Sequence, residues 1–319
     1  MDEKDSELEP MEPGRPSRFL ALVQENGGTR LDLFLATELA LSRAQVRRLL
    51  DSGAVALDGR SLGLGDKGLA LPSKGALEVR AYRVGRDQIV HSNGPNDVEP
   101  RVLARGEGWL ALDKPAGMPV HPLNETESGT VLSYVVAQEP SVQGVGEGGL
   151  RSGVVHRLDV DTSGVLLVAT EEAVWQKLRL AFQQHRVEKT YLALVEGRPS
   201  WSRQGEEMRL WLSVSRHRPA RVRVASDAER ARGRAREIQQ SVRVLENFET
   251  TSLVEIRPRT GFLHQIRASL AHLGHPVVGD VPYGATPDYL GARRHMLHAQ
   301  RAQHEEIGAE CPLAKDFEQ

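Results

Sequence analysis

The sequence predicts an α+β protein in which a large domain with a mixed, largely antiparallel sheet is preceded by a small α/β module. Three observations carry that expectation. The chain has 319 residues, which at about 150 residues per domain leaves room for two. The apolar runs GVLLVAT, TYLALVEG, ARVRVA and SLVEIRP in its later part are not separated by regularly recurring helices, whereas a doubly wound parallel sheet needs a crossover after each strand. Between the two parts lies HSNGPNDVEP, residues 91–100, which has two prolines, a glycine and two asparagines but almost nothing to bury, the composition of a linker. The resulting division is an acidic disordered tail at 1–20, a small module at 21–90, the linker at 91–100 and the larger domain at 101–319.

The elements follow in order. Residues 1–20 hold six acids against three bases, a local charge of −3, and bury little, so they are read as disordered. Leu31, Phe34, Leu35 and Leu39 recur at helical spacing and predict an amphipathic helix near Arg30. A second helix follows in SRAQVRRLL: Ser42 and Gln45 have capping-box spacing, Val46, Leu49 and Leu50 form the apolar face, and Gly53 sits where a terminal glycine ends a helix. Ala54–Leu57 is a short strand, and Asp58-Gly59 a tight turn. In the larger domain VLARGEGWLALDKP reads as two strands around a glycine turn, and VLSYVVAQ as a helix. GVLLVAT reads as a buried strand, and Glu171–Gln184 as an amphipathic helix capped by Thr170. The remaining runs named above are strands.

Hydrophobic residues make up 39% and charged residues 26% of the chain, ordinary values for a protein with a sizeable core. The single cysteine, Cys311, rules out a disulfide framework and a thiolate metal cluster and suits a reducing compartment. The acidic N-terminus is unlike a signal peptide, and no apolar run approaches the roughly 18 residues that a membrane span needs. The expectation is a cytoplasmic, monomeric protein that uses no membrane and no metal. The net charge of −2 conceals a basic stretch at 216–237, where eight arginines face three acids for a local +5. Phosphates would be drawn to it; the plain alternative is a solvated hairpin edge that uses arginine against strand pairing. Arg43, Arg47 and Arg48 share one side of the second helix and form another basic surface.

The chemistry concentrates in GVVHRLDVDTSGVLLVAT, residues 153–170, where a polar cluster sits between two apolar runs. His156, Arg157 and Asp159 belong on a loop at the end of the sheet, where rigid strands position side chains for work. Asp161, Thr162 and Ser163 are read as satisfying backbone groups. A charged Arg-x-Asp beside buried strands is costly unless it is paired or used.

HRLDVDTSG resembles the signature of the RluA family of pseudouridine synthases. Further pieces of that family's pattern follow in order: LDKPAGMPVHP (112–122), EKTYLALVEG (188–197), RTGFLHQIRASLAHLGHPVVGD (259–280) and MLHAQR (296–301). The N-terminal segments RLDLFLA, SRAQVRRLLDSGAVALDGR and LEVRAYRV, within residues 29–90, resemble an RNA-binding domain of the ribosomal-protein S-four type.

The resemblance implies an isomerase that converts uridine in RNA to its carbon-linked isomer without cofactor, metal or nucleotide. On it, Asp159 is the catalytic carboxylate, adding covalently to base or sugar while the uracil turns. Arg157 takes the place of the nucleotide that must be extruded for the chemistry to reach it. Tyr191 lies against the uracil ring, and Arg267 pairs with Asp159. Arg43, Arg47, Arg48, Arg221 and Arg223 are the expected RNA contacts. Large-subunit ribosomal RNA is the leading substrate, transfer RNA the runner-up, and a catalytically silent RNA-binding or ribosome-assembly protein the different class of answer. Phe262 and Leu263 replace an arginine and a hydroxyl usual in the family, and Val160 stands where a basic residue often follows the aspartate. These departures bear on substrate contacts.

Other patterns carry less. The pairs His272/His275 and His295/His298 lack the Glu or Cys partners of a zinc site. GVGEGG at 144–149 lacks the Gly-Lys-Ser/Thr ending of a phosphate loop. The spacing of Asp159 and Asp161 says nothing about the separation that a glycosidase carboxylate pair requires.

Overall fold

The computed structural model describes residues 15–41, 43–82, 88–94, 97–217 and 219–317. They fall into two units, one formed by Met1–Ile89 and Gly148–Leu150 and the other by Val90–Glu147 and Arg151–Gln319. Most of the acidic tail, the capping residue Ser42 and Arg218 of the basic stretch lie outside the described residues.

The first unit contains β1 (Arg18–Leu22), α1 (Leu31–Glu38), α2 (Arg43–Asp51), β2 (Val55–Leu57), β3 (Arg60–Leu62) and β4 (Gly75–Val79). The strands make an antiparallel sheet in the order β1-β4-β2-β3. Leu31, Phe34, Leu35 and Leu39 from the first helix and Val46, Leu49 and Leu50 from the second are all buried in one core with Val55, Leu62, Leu77 and Val79, as the periodicity requires. Gly53 (φ 68) ends α2 in the left-handed region, and Asp58-Gly59 (φ 47 and 84) turns β2 into β3. Ordered structure starts earlier than the sequence suggests. β1 begins at Arg18, inside the stretch read as tail, and Arg15 is bridged to Tyr82. The strand RFLAL is short, and its register is set by pairing with β4, a long-range contact that local patterning does not reveal.

The second unit contains β5 (Arg101–Gly106), β6 (Trp109–Lys114), α3 (Val131–Gln138), β7 (Ser163–Ala169), α4 (Glu172–Gln183), β8 (Glu188–Glu196), β9 (Glu206–His217), β10 (Ala220–Val224), α5 (Asp227–Ala231), β11 (Arg236–Asn247), β12 (Thr251–Pro258), α6 (Gln265–His272), β13 (Leu297–His304) and β14 (Ile307–Glu310). One sheet runs β10-β9-β11-β12-β8-β13-β7-β6-β5, with β14 on β13. Among the described residues every pairing in this sheet is antiparallel except β13 with β7. The mixed, largely antiparallel α+β reading is therefore correct. α4 starts one residue later than expected. Its N-cap is Glu171, whose side chain makes no capping hydrogen bond, while the Thr170 N–H donates to the Gly108 carbonyl at 2.8 Å and ties the chain to the β5–β6 turn. The linker lacks helix and strand among its described residues, yet Asn93 is tied to Ser133 and Gly129 around α3.

β7 is buried at all seven positions and delivers the preceding loop to the centre of the sheet. Gly164 holds φ 110 where β7 meets β13, and a Cβ there would collide with the Ala299 carbonyl. Only glycine permits so close a parallel approach. At the far edge, β10 turns Val222 inward while Arg221 and Arg223 are exposed.

Candidate active site

The loop 156–162 leading into β7, β8, the end of β12 and the segment 260–267 into α6 enclose a cleft of about 500 Å³. Asp159, Tyr191, Arg267 and Arg157 all line it, together with Lys189, Arg179, His264, Phe262 and Leu263. The cleft is thus part apolar and part cationic, a chemistry suited to an aromatic base on an anionic backbone.

Asp159 is half-buried, with its side chain 20% exposed. Arg267 Nη1 donates to its Oδ2 at 2.9 Å. Arg267 is itself fixed from behind: Nε and Nη2 donate to the two oxygens of Asp280, both at 2.7 Å, and Asp280 is fully buried. Burial works against the arginine's charge, but the hydrogen bonds and charge of Asp280, with Asp159 adding, outweigh it and raise Arg267 above its ordinary value. The Tyr283 ring lies 4.9 Å from the guanidinium carbon. A bidentate carboxylate and an aromatic face leave Arg267 one orientation, so one oxygen of Asp159 is held by a rigid group.

Tyr191 sits in mid-β8, paired with Ile256 of β12 and Ala299 of β13. Burial, and then the Asp159 charge, push its hydroxyl above the ordinary tyrosine value, so it keeps its proton. Sequence alone favours a packing role for a strand aromatic; Tyr191 does pack against the core of Val254, Ile256 and Ile266, and it also lines the cleft with Asp159. Arg157 is exposed at the cleft.

Four groups hold the loop. Lys114, fully buried at the end of β6, donates to the carbonyls of Pro115 (2.9 Å), Met118 (2.8 Å) and Val160 (2.7 Å). Burial pushes this lysine down to about 7, with Asp161 and Asp159 supporting its charge. Arg294 donates to the Asp161 carbonyl at 3.0 Å and is paired with Asp316. His295 meets the Thr162 hydroxyl at 2.8 Å, and His298 meets that of Ser163 at 2.9 Å. Asp161, Thr162 and Ser163 therefore serve the loop's structure, but the Thr162 and Ser163 hydroxyls do so through the side chains of His295 and His298 rather than through the backbone groups that the sequence reading expects. His156 also does structural work: it accepts from the Leu167 N–H at 2.9 Å and stacks on Phe182 at 4.6 Å. Phe262 and Leu263 pack against the core of Leu212, Val222, Ile238 and Ala268 while lining the cleft.

Among the described residues no three His, Cys, Asp or Glu side chains are grouped to hold a metal, and no helix is long and apolar enough to cross a membrane. Arg221 and Arg223 lie on edge strand β10 rather than in the cleft, and Arg223 pairs with Glu229 at 3.0 Å. Arg43, Arg47 and Arg48 are exposed on α2 of the first unit. Sequence reading missed Lys114, Asp280, His264, Tyr283 and Arg294. Two had a legible signal: Lys114 follows the run WLALD and Asp280 follows PVVG, and a charge closing an apolar run must have a partner if it is buried.

The buried histidines give the fold an acid limit. Burial lowers His295 from 6.5 to about 3 and His156 likewise. Between those values the unfolded chain binds protons that the folded chain refuses, so stability is intact above 6.5 and is lost progressively as pH falls toward 3. For His295 the loss is expected to reach about 2 kcal/mol at pH 5. Urea unfolding at pH 7 and pH 5 checks it: His295→Gln should flatten the dependence, and identical pH profiles for variant and parent would remove His295 from the account.

Comparisons with known proteins agree with this geometry. Residues 108–272 match the RNA pseudouridylate synthase family. An uncharacterized RNA pseudouridine synthase of Chloroflexus aurantiacus is 34% identical over 292 residues, covering 88% of this chain and 84% of the relative. The ribosomal large subunit pseudouridine synthase D of Zymomonas mobilis is 31% identical over 293 residues, covering 89% of this chain and 88% of the relative. The solved structure of human RNA pseudouridylate synthase domain containing 1 shares the fold, with a TM-score of 0.54 over 70% of this chain and 87% of that one at 24% identity. The chain belongs to the RNA pseudouridylate synthase family and is an RNA pseudouridine synthase.

Proposed function

We propose that this enzyme isomerises uridine in structured large-subunit ribosomal RNA, with Asp159 as the nucleophile. The observation that carries the reading is the convergence of Asp159, Tyr191 and Arg267, from a loop, a strand and a helix, in one cleft that is also lined by Arg157, Arg179 and Lys189. Asp159 Oδ1 is the oxygen that Arg267 leaves free to attack. Addition to base or sugar frees the ring to turn, and departure of the carboxylate completes the exchange of the nitrogen link for a carbon link. Tyr191, protonated and beside Asp159, lies where it can pack on the uracil and relay the proton leaving the ring carbon, giving up its own as it takes that one. Arg157 fills the gap left by the extruded nucleotide. The large-subunit assignment is supported by the names of relatives such as that of Zymomonas mobilis, and by a first unit whose two helices and small sheet fit an RNA-binding domain of the S-four type.

Pseudouridine mapping of total RNA from cells with and without the gene is the test. Loss of a modification in large-subunit RNA is the expected result; a change confined to transfer RNA would move the substrate to that class, and no change in any RNA would overturn the reading.

The arginines give a second expected result. Arg43, Arg47 and Arg48 on α2, and Arg221 with Arg223 on β10, act through phosphates. Every phosphate that goes unneutralised lowers the slope of log affinity against log salt by roughly 0.7–0.9. The Arg43/Arg47/Arg48→Ala triple variant should therefore show a slope shallower by about 2, with turnover at saturating RNA retained. An unchanged slope would make α2 a packing element.

A further inference from the structure

His264 and Tyr283 stand behind the free oxygen of Asp159. His264 caps α6 in the left-handed region (φ 48), and its Nε2 lies 3.7 Å from Asp159 Oδ1. Its other ring nitrogen, Nδ1, is 2.8 Å from the Tyr283 hydroxyl. That hydroxyl also receives the Val222 N–H of β10 at 2.9 Å.

The proton positions follow from what each group can do. A backbone N–H only donates, so the Tyr283 oxygen accepts from Val222 and has its own proton to give to His264 Nδ1. Burial lowers His264 below its ordinary value, more than the Asp159 charge restores, so the ring is neutral and carries one proton. With Nδ1 accepting, that proton is on Nε2, facing the carboxylate. The opposite tautomer would set a lone pair against Asp159 Oδ1. Tyr283 also stacks on Arg267, so one side chain touches the partners of both Asp159 oxygens.

We propose that Tyr283 and His264 form a positioning relay, running from the Val222 N–H of β10 to Asp159 Oδ1, that aims the attacking oxygen at the flipped nucleotide. The relay rests on the assignment of Asp159 as nucleophile. Arg267 fixes Oδ2, and the His264 N–H fixes the rotation about the carboxylate. The 3.7 Å separation is long for a hydrogen bond and closes when substrate orders the site. The arginine-bearing edge strand and the reacting carboxylate thereby share one chain of donors and acceptors.

The test uses the full chain and total RNA from cells lacking the gene. Single-turnover pseudouridine formation across enzyme concentration separates the maximal rate from the half-saturating concentration. Tyr283→Phe keeps the ring on Arg267 and removes the relay hydroxyl, both the proton offered to His264 and the acceptor of the Val222 N–H. His264→Asn removes the imidazole with a residue that tolerates the left-handed backbone. Each is expected to lower the maximal rate roughly 100-fold, the order that a misplacement near 1 Å costs, with half-saturation within threefold of the parent. The double variant should be no slower than His264→Asn alone, because the two residues act in series. A parental maximal rate in Tyr283→Phe, losses that multiply in the double variant, or a defect confined to half-saturation would each overturn the relay. Asp159→Asn run alongside separates the two ideas. If it stays active, the nucleophile assignment fails; if it is inactive while Tyr283→Phe is parental, the relay alone fails.

Discussion

Replacing Asp159 by asparagine is expected to stop isomerisation while leaving RNA binding in place. The amide has the shape of the carboxylate and can still accept from Arg267 Nη1, but it cannot add to a carbon centre and leave again. Removal of a covalent nucleophile typically costs on the order of 10⁴–10⁶ in rate, or more than about 5 kcal/mol of transition-state stabilisation. Binding should survive because the surroundings do not depend on Asp159. Arg267 is gripped at two nitrogens by Asp280, so the guanidinium stays where it is when its weaker, single bond to residue 159 changes. RNA affinity within about threefold of the parent, alongside product below detection in single turnover, is the expected pair of results. Turnover within tenfold of the parent would remove Asp159 from the chemistry.

The largest stability effect is expected at Lys114. Its ammonium closes three carbonyls from two separate chain segments in a site with no exposed surface. Lys114→Met fills the space but donates nothing. Each buried acceptor left without a partner costs about 1–3 kcal/mol; the Val160 carbonyl keeps the Gly117 N–H at 2.9 Å, and removing a buried charge returns part of the loss. The net expectation is about 2–4 kcal/mol, a large share of the roughly 5–15 kcal/mol that holds a typical fold. Lys114→Arg should not rescue it, since a flat fork cannot reach three converging carbonyls. Urea unfolding measures the change, and a loss under about 1 kcal/mol would show that the tripod is dispensable. Activity should fall further than stability, because Val160 is the neighbour of Asp159.

How far the sequence reaches depends on the range of the interaction. The helices of the first unit were legible because Leu31, Phe34, Leu35 and Leu39 repeat within one element, and the Asp58-Gly59 hairpin because turn chemistry is local. The HRLD segment was legible as a site because polar residues between two apolar runs contradict a buried strand. β1 was not, since five residues acquire their register from β4. The surroundings of the Asp159–Arg267 pair were not either: His264, Tyr283 and Asp280 become neighbours only when α6 and the segment after it fold onto the sheet, and the apolar run before Asp280 signals a need for a partner without saying which. Tyr191 marks the boundary. Its residue type favoured packing, and only pairing with β12 and β13 decides which way it points.

The lone parallel pairing in the sheet has a consequence for how the protein is made. β13 occupies the middle of the sheet, between β8 and β7, but it is assembled from residues 297–304. During synthesis β5–β7 and β8–β12 leave the ribosome as two antiparallel blocks, each able to pair within itself, with facing edges that have no partner until β13 emerges. Closing the gap joins residues far apart in the chain, the slow kind of pairing in folding. Arg294 and His295, which clasp the loop at Asp161 and Thr162, arrive with it. The enzyme's two halves therefore exist before its active site does, and a ribosome stalled short of β13 would display two raw strand edges, the surface on which nascent chains associate wrongly.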